Sequence, residues 1–270
     1  KNPVQPPVVA HETVISTLRR FIDRTGIPVL IIEGNHGLYR TRDVSLLDLV
    51  RASVPEVHVV TQVDLKRALS NDEPLMISFD KFDVYCFPFI DPAVLESAGL
   101  EDEFREWIVA RQAPKSRRVS IAVAHGMTLD GTLNPTILDL DYDYVALGHD
   151  HRQHEHSTKA WYAGSIERWR FDEAGHEKGF LVVEASHGEP PSVEPHLLTF
   201  KRPVYNKVIE VKADDTPESV VQRVRSWLGE EGLLTSRDPQ TAARVRLVFK
   251  GTSPRGGTSV SYTHLTLPTK

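Results

Sequence analysis

Val29-Leu30-Ile31-Ile32-Glu33-Gly34-Asn35-His36 is the stretch on which the reading of the whole chain turns. Its first four residues are apolar without alternation, the pattern of a strand covered on both faces. Upstream, residues 8–24 place Val14, Leu18, Phe21 and Ile22 at helical spacing, and Gly26 followed by Pro28 stops that helix. A helix that runs within a few residues into such a strand is the grammar of α/β architecture. Gly34 closes the strand, leaving Asn35 and His36 at its carboxyl end.

The grammar recurs along the chain. A helical stretch at 102–112 and a basic loop (Lys115, Arg117, Arg118) lead into an apolar run at 119–124 that ends in His125. Another run, 144–147, ends in Gly148 and His149. Further strands are predicted at 57–60, 75–79 and 84–87, with a helix at 43–52, and a second strand-rich series at 161–163, 168–171 and 179–184. After a Pro-containing segment the pattern resets to strand 206–211, helix 217–228 and strand 244–249. The predicted organisation is therefore a main domain over 1–200 and a small, partial β-α-β domain over 203–251. Residues 252–270, with Gly256-Gly257, several threonines and no amphipathic period, are set aside as a non-native or disordered tail.

Composition narrows the function. The chain has 270 residues, 40% hydrophobic and 26% charged, enough for one sizeable core and a smaller unit. A net charge of -5 excludes a nucleic-acid binder that works by bulk positive charge, though not a nuclease with a local metal site. Cys86 is the single cysteine, so no internal disulfide forms, and its apolar neighbours Val84 and Phe87 make it a core residue. No run approaches the roughly 18 apolar residues of a membrane span, so a soluble, cytoplasmic protein is expected. The chain opens at Lys1 in a Pro-rich stretch, and a native start further upstream is expected.

Three apolar runs thus end in residues of metal-ligand type: Asn35 and His36, His125, and His149 with His151. In open α/β sheets ligands gather beyond the carboxyl ends of strands, so these three loops are expected to share one site. Gly34, Gly126 and Gly148 each adjoin a candidate ligand, where a tight exit or a close backbone approach is useful. Imidazole nitrogen with amide oxygen suits Mn, Fe or Zn, whereas a structural zinc site uses thiolates. Two such ions, about 3.5–4 Å apart, hydrolyse phosphoesters.

Gly34-Asn35-His36, Ala124-His125-Gly126 and Gly148-His149-Asp150-His151 resemble, in order, the last three motifs of the calcineurin-like metallophosphoesterases. Residues 141–149 and Tyr162-Ala163-Gly164-Ser165-Ile166-Glu167-Arg168 resemble the SbcD branch, the exonuclease subunits of double-strand-break repair. Arg202-Pro203 and Ala243-Arg244-Val245-Arg246-Leu247 are similar to that branch's capping domain. The resemblance implies a four-layer α-β-β-α sandwich lacking its first strands, with part of a small α+β capping domain. It implies that Asn35, His125 and His149 bind one metal and His151 the other, with His36 beside the scissile phosphate as orienting group or general acid. It further implies two divalent ions, Mn foremost with Mg, Fe or Zn as substitutes, and as partners DNA, an SbcC-type coiled-coil ATPase and a second copy of the chain.

Two departures stand out. Gly37 occupies the place where the family carries an acid after its Asn-His pair, a carboxylate suited to orient the imidazole. The family's Asp-x-His and Gly-Asp motifs occur nowhere in these residues, and an N-terminal truncation is the expected cause. On its own the chain is therefore expected to bind metal weakly and to hydrolyse little. Other features read as structural: His154 and His156 as exposed strand-edge residues, Arg111, Lys115, Arg117 and Arg118 as a solvated loop, Trp169 and Phe171 as packing between sheets. Two alternatives accompany the nuclease reading: a phosphoesterase of small nucleotides or other phosphoesters, and a degenerate, non-catalytic partner-binding domain.

Overall fold

The computed structural model describes residues 8–39, 44–199, 202–234 and 242–251, which form a mixed α/β structure with several sheets. Residues 252–270, set aside above as a tail, lie outside the described residues. The chain divides into two compact units, Lys1–Gly164 with Phe180–His196, and Ser165–Gly179 with Leu197–Lys270.

The first unit opens with α1 (Val8–Thr25), β1 (Val29–Ile32), β2 (Leu38–Tyr39), β3 (Val44–Ser45), α2 (Asp48–Ser53), β4 (Val57–Val60) and α3 (Gln62–Ser70). It continues through β5 (Met76–Ser78), β6 (Phe82–Phe87), α4 (Pro92–Ala98), α5 (Glu101–Trp107), β7 (Val119–His125), α6 (Thr136–Asp139) and β8 (Tyr144–Gly148). β9 (His154–Ser157), β10 (Ala160–Tyr162), β11 (Gly179–Glu184) and β12 (Ser192–Leu197) follow. The main sheet runs β5-β6-β7-β8-β10-β9, with β6, β7, β8 and β10 parallel and an antiparallel strand at each edge. β1 and β4 form a separate parallel pair.

Side-chain alternation distributes the core. On one face of the main sheet Tyr85, Phe87, Ala122 and Ala124 pack against Leu95, Phe104, Trp107 and Ile108 of the helical segments. On the other, Val84 and Cys86 meet Leu30, Ile32 and Val60 of the β1-β4 pair. The far side of that pair, Val29, Ile31, Val57 and Val59, is covered by Ile15, Leu18, Ile22, Val50 and Val54. Each fully buried side chain of this size contributes about 1.5–3 kcal/mol, so the two interfaces fix the pairing. Both faces of β1 are thus covered, yet all four of its residues stay half-buried. β4 is its one strand partner among the described residues. The expected helix at 43–52 is shorter: Val44–Ser45 is extended and the helix begins at Asp48.

Polar groups lock neighbouring strands. The Asp143 carboxylate accepts from the Ser120 N–H at 2.7 Å, its hydroxyl at 3.0 Å and the Gly188 N–H at 2.7 Å. Burial alone would raise that carboxyl, but these donors, with His187, outweigh it and hold it below the ordinary carboxylate value.

In the second unit, β13 (Val204–Val211) and β14 (Arg244–Gly251) pair in parallel over their full length, connected through α7 (Pro217–Glu230). A capping box of Thr216 and Ser219, with Pro217 in the first turn, starts α7. The stretch 168–171 is not the strand that its aromatic residues suggested. Arg244 donates to the carbonyls of Arg168 at 3.3 Å and Trp169 at 3.0 Å, and a 3₁₀ turn follows at Phe171–Glu173. Trp169 is 64% exposed rather than packed between sheets. Beneath this turn the Lys178 ammonium, wholly buried, donates to Glu173 at 2.9 Å and Ser165 at 2.8 Å.

Candidate functional site

Three strand exits converge. His125 is the last residue of β7 and lies in register opposite Gly148, the last residue of β8, so His149 follows one step beyond. Asn35 follows β1 by three residues. The His125 Nε2 stands 3.1 Å from the Asn35 Oδ1 and 3.4 Å from the His149 Nδ1. The two imidazoles meet edge to face, with centroids 5.2 Å apart, and Phe89 packs edge-on against the His125 ring.

Glycine makes the room. A Cβ at Gly34 would fall 2.8 Å from the His125 Cε1, and one at Gly148 would fall 3.0 Å from its Nδ1. Neither position needs an unusual backbone; both need an absent side chain. The unusual backbone belongs to His149 itself, at φ 98°. Such a conformation costs on the order of 1–3 kcal/mol and persists only where surrounding contacts hold it.

Burial lowers the His125 pKa to about 4, and the neighbouring imidazoles of His149, His36 and His151 push in the same direction. His125 is therefore neutral at pH 7. His36 and His151 are near enough to act on His125 electrostatically, and the His36 side chain is exposed. Among the described residues no three His, Cys, Asp or Glu side chains surround one point. The tight part of the cluster is two imidazoles and an amide.

That donor set fits a divalent cation. Nitrogen ligands at about 2.0–2.1 Å from a metal stand about 3.0–3.4 Å from their neighbours on a coordination polyhedron. The spacings of 3.1 and 3.4 Å match such edges. A neutral imidazole supplies the lone pair that a cation requires.

One participant was not read from the sequence. The Asp130 Oδ2 lies 3.0 Å from the His149 Nε2. Burial would raise the Asp130 carboxyl, but donors from Thr132 and the His149 ring outweigh it and keep it below its usual value. Asp130-Gly131 directly after the His125 strand was a turn signal that could have drawn attention to it.

The acid missing at position 37 has a spatial counterpart. A Cβ at Gly37 would fall 2.7 Å from the Glu33 Oε1, so the Glu33 side chain fills the space that a larger residue 37 would need. Glu33 is 1% exposed; its Oε2 accepts from the Gln62 N–H at 2.8 Å, and its Oε1 has no partner among the described residues.

The remaining singled-out residues lie elsewhere. His154 stacks on Tyr162 at 4.8 Å, and His156 meets the same ring edge-on, both from the outer strand β9. Arg111 is paired with Asp72 and Arg118 with Asp83, while the Lys115 ammonium donates to the Ala110 carbonyl.

No family model matches the chain. It is similar to the SbcD component of the SbcCD nuclease of Bacillus subtilis (strain 168), with 26% identity over 257 residues. The similarity covers 84% of this chain and 62% of that relative, so the chain spans less than two thirds of the relative's length. No helix among the described residues is long and apolar enough to cross a membrane.

Proposed function

We propose that this chain belongs to a metal-dependent phosphodiesterase of DNA, an SbcD-type nuclease subunit. One observation carries the reading: from two other strand exits, Asn35 and His149 each bring a donor atom to polyhedron-edge spacing from the His125 Nε2. The similarity to a nuclease component supports the choice of DNA as substrate. The order of packing, α1 with α2, then β1 with β4, then the main sheet, then α4 with α5, supports a four-layer α-β-β-α sandwich, and 203–251 would form part of a capping domain.

When bound, two divalent ions, Mn foremost with Mg, Fe or Zn as substitutes, would supply a hydroxide nucleophile and neutralise the phosphate. Asn35, His125 and His149 would hold one ion, and His151 would contribute to the other. His125 accomplishes this without first losing a proton, because it is already neutral. His36, exposed beside the cluster, orients the phosphate or protonates the leaving oxygen. An SbcC-type ATPase and a second copy of the chain are the proposed protein partners.

The test uses the whole gene product. Mn2+ should stimulate its cleavage of DNA ends, and His149→Ala should abolish that stimulation. A protein that bound two Mn2+ ions yet left every DNA substrate intact would end the nuclease reading. A small phosphoester is the second reading, favoured by the net charge of -5 and by the pairing of Arg111 and Arg118 with carboxylates. Faster turnover of mononucleotide phosphodiesters than of duplex ends would select it.

A further inference from the structure

We propose that Asp130 is a positioning residue that fixes the tautomer of His149. In this arrangement Nε2 keeps the proton and the Nδ1 lone pair faces His125. The consequence for a metal ion rests on the reading given under the proposed function; the tautomer does not.

A neutral imidazole has one N–H and one acceptor nitrogen, and a carboxylate can only accept. With the Asp130 Oδ2 at 3.0 Å from Nε2, the proton belongs on Nε2. The Nδ1, 3.4 Å from the His125 Nε2, is then unprotonated on the side where the other donor atoms gather. A carboxylate behind a ligating histidine is a recurrent means of choosing the coordinating nitrogen.

The carboxylate is itself held. Its Oδ1 accepts from the Thr132 N–H at 3.0 Å and from the Thr132 hydroxyl at 2.5 Å. That hydroxyl accepts from the Met127 N–H at 2.8 Å, and the Leu133 N–H donates to the Met127 carbonyl at 3.0 Å. The loop passes so close to its own start that a Cβ at Gly126 would lie 2.6 Å from the Thr132 carbonyl oxygen. Oδ1 therefore serves the loop, and Oδ2 is left to face His149. A single loop thus follows one candidate ligand, His125, and orients another.

Asp130→Asn gives a sharp test. Its amide oxygen stays with the two Thr132 donors, which turns the NH2 toward His149, so Nε2 must accept and the proton moves to Nδ1. Long-range 1H–15N correlation spectra of the 270-residue chain without metal should show the Nε2–H tautomer of His149 in the wild type. They should show the Nδ1–H tautomer in Asp130→Asn. Mn2+ binding, followed by electron paramagnetic resonance, should weaken by about 10–100-fold in Asp130→Asn, and less in Asp130→Ala, where the ring is free to choose. A merely structural Asp130 would lower the melting temperature of both variants without inverting the tautomer.

An Nδ1–H tautomer in the wild type overturns the assignment and needs no variant to fold. Retention of Nε2–H in a folded Asp130→Asn overturns it equally. Inversion with unchanged Mn2+ affinity upholds it and counts instead against a metal centre at His149.

Discussion

A cation needs an imidazole that has already given up its charge, and His125 reaches that state through burial among other imidazoles. The same fact sets a pH dependence. The unfolded chain protonates this residue near about 6.5, whereas the folded chain resists down to about 4. Below the unfolded value the unfolded state takes up more protons, so stability falls as pH drops from 6.5 towards 4 and this contribution then levels off. Melting curves of the metal-free chain across that window should show the fall, and His125→Gln should flatten it. At Gly37 the argument is steric. Gly37→Asp places a Cβ against the Glu33 carboxylate and should destabilise by about 1–3 kcal/mol in urea titrations. Adding Glu33→Ser should recover a large part of that loss; no recovery would mean that Glu33 is not the obstacle.

Elements follow from the sequence where one period dominates. The unalternating runs at β1 and β7 were legible as strands because both faces meet apolar layers, β8 because its run is apolar throughout, and the polar residues at their ends could be read at once. Asp130 was not legible, because its role depends on how the Thr132 hydroxyl folds the loop and on no periodic signal. Residues 168–171 misled for a different reason. Alternating Arg168, Trp169, Arg170 and Phe171 imitate a strand, but Arg244 takes the carbonyls that a strand partner would have used. Close to that turn lies the buried Lys178–Glu173 pair. Glu173→Gln removes the negative charge beside a buried ammonium and should destabilise the second unit by about 3–5 kcal/mol. Replacing the pair together, Glu173→Leu with Lys178→Met, should be milder; equal damage would show that the charge pairing is not what matters.

For the molecule as a whole, Cys86 is a reporter. It sits at 0% exposure between the main sheet and the β1-β4 pair, and burial pushes its thiol up to about 12. Neither ionisation nor access favours attack on a reagent. Labelling by a chromogenic disulfide at about pH 8 should therefore proceed only at the rate of large-scale opening and accelerate with the urea unfolding transition. Rapid labelling in native buffer would show that the two sheets separate readily. The distribution of charge acts on the same scale: with Arg111 and Arg118 paired to Asp72 and Asp83, the proposed nuclease reading places any affinity for DNA at the candidate site more than on a basic surface.

The register of β7 against β8 has a longer reach. Because His125 stands opposite Gly148, the separation of the two histidines is set by the hydrogen-bonded ladder, however many residues intervene. Lengthening the chain at the exposed Asp141, beyond the loop that carries Asp130, should leave their spacing intact. Evolution, or an engineer, can therefore remodel that connection while the chemistry at the far end of the strands stays in tune.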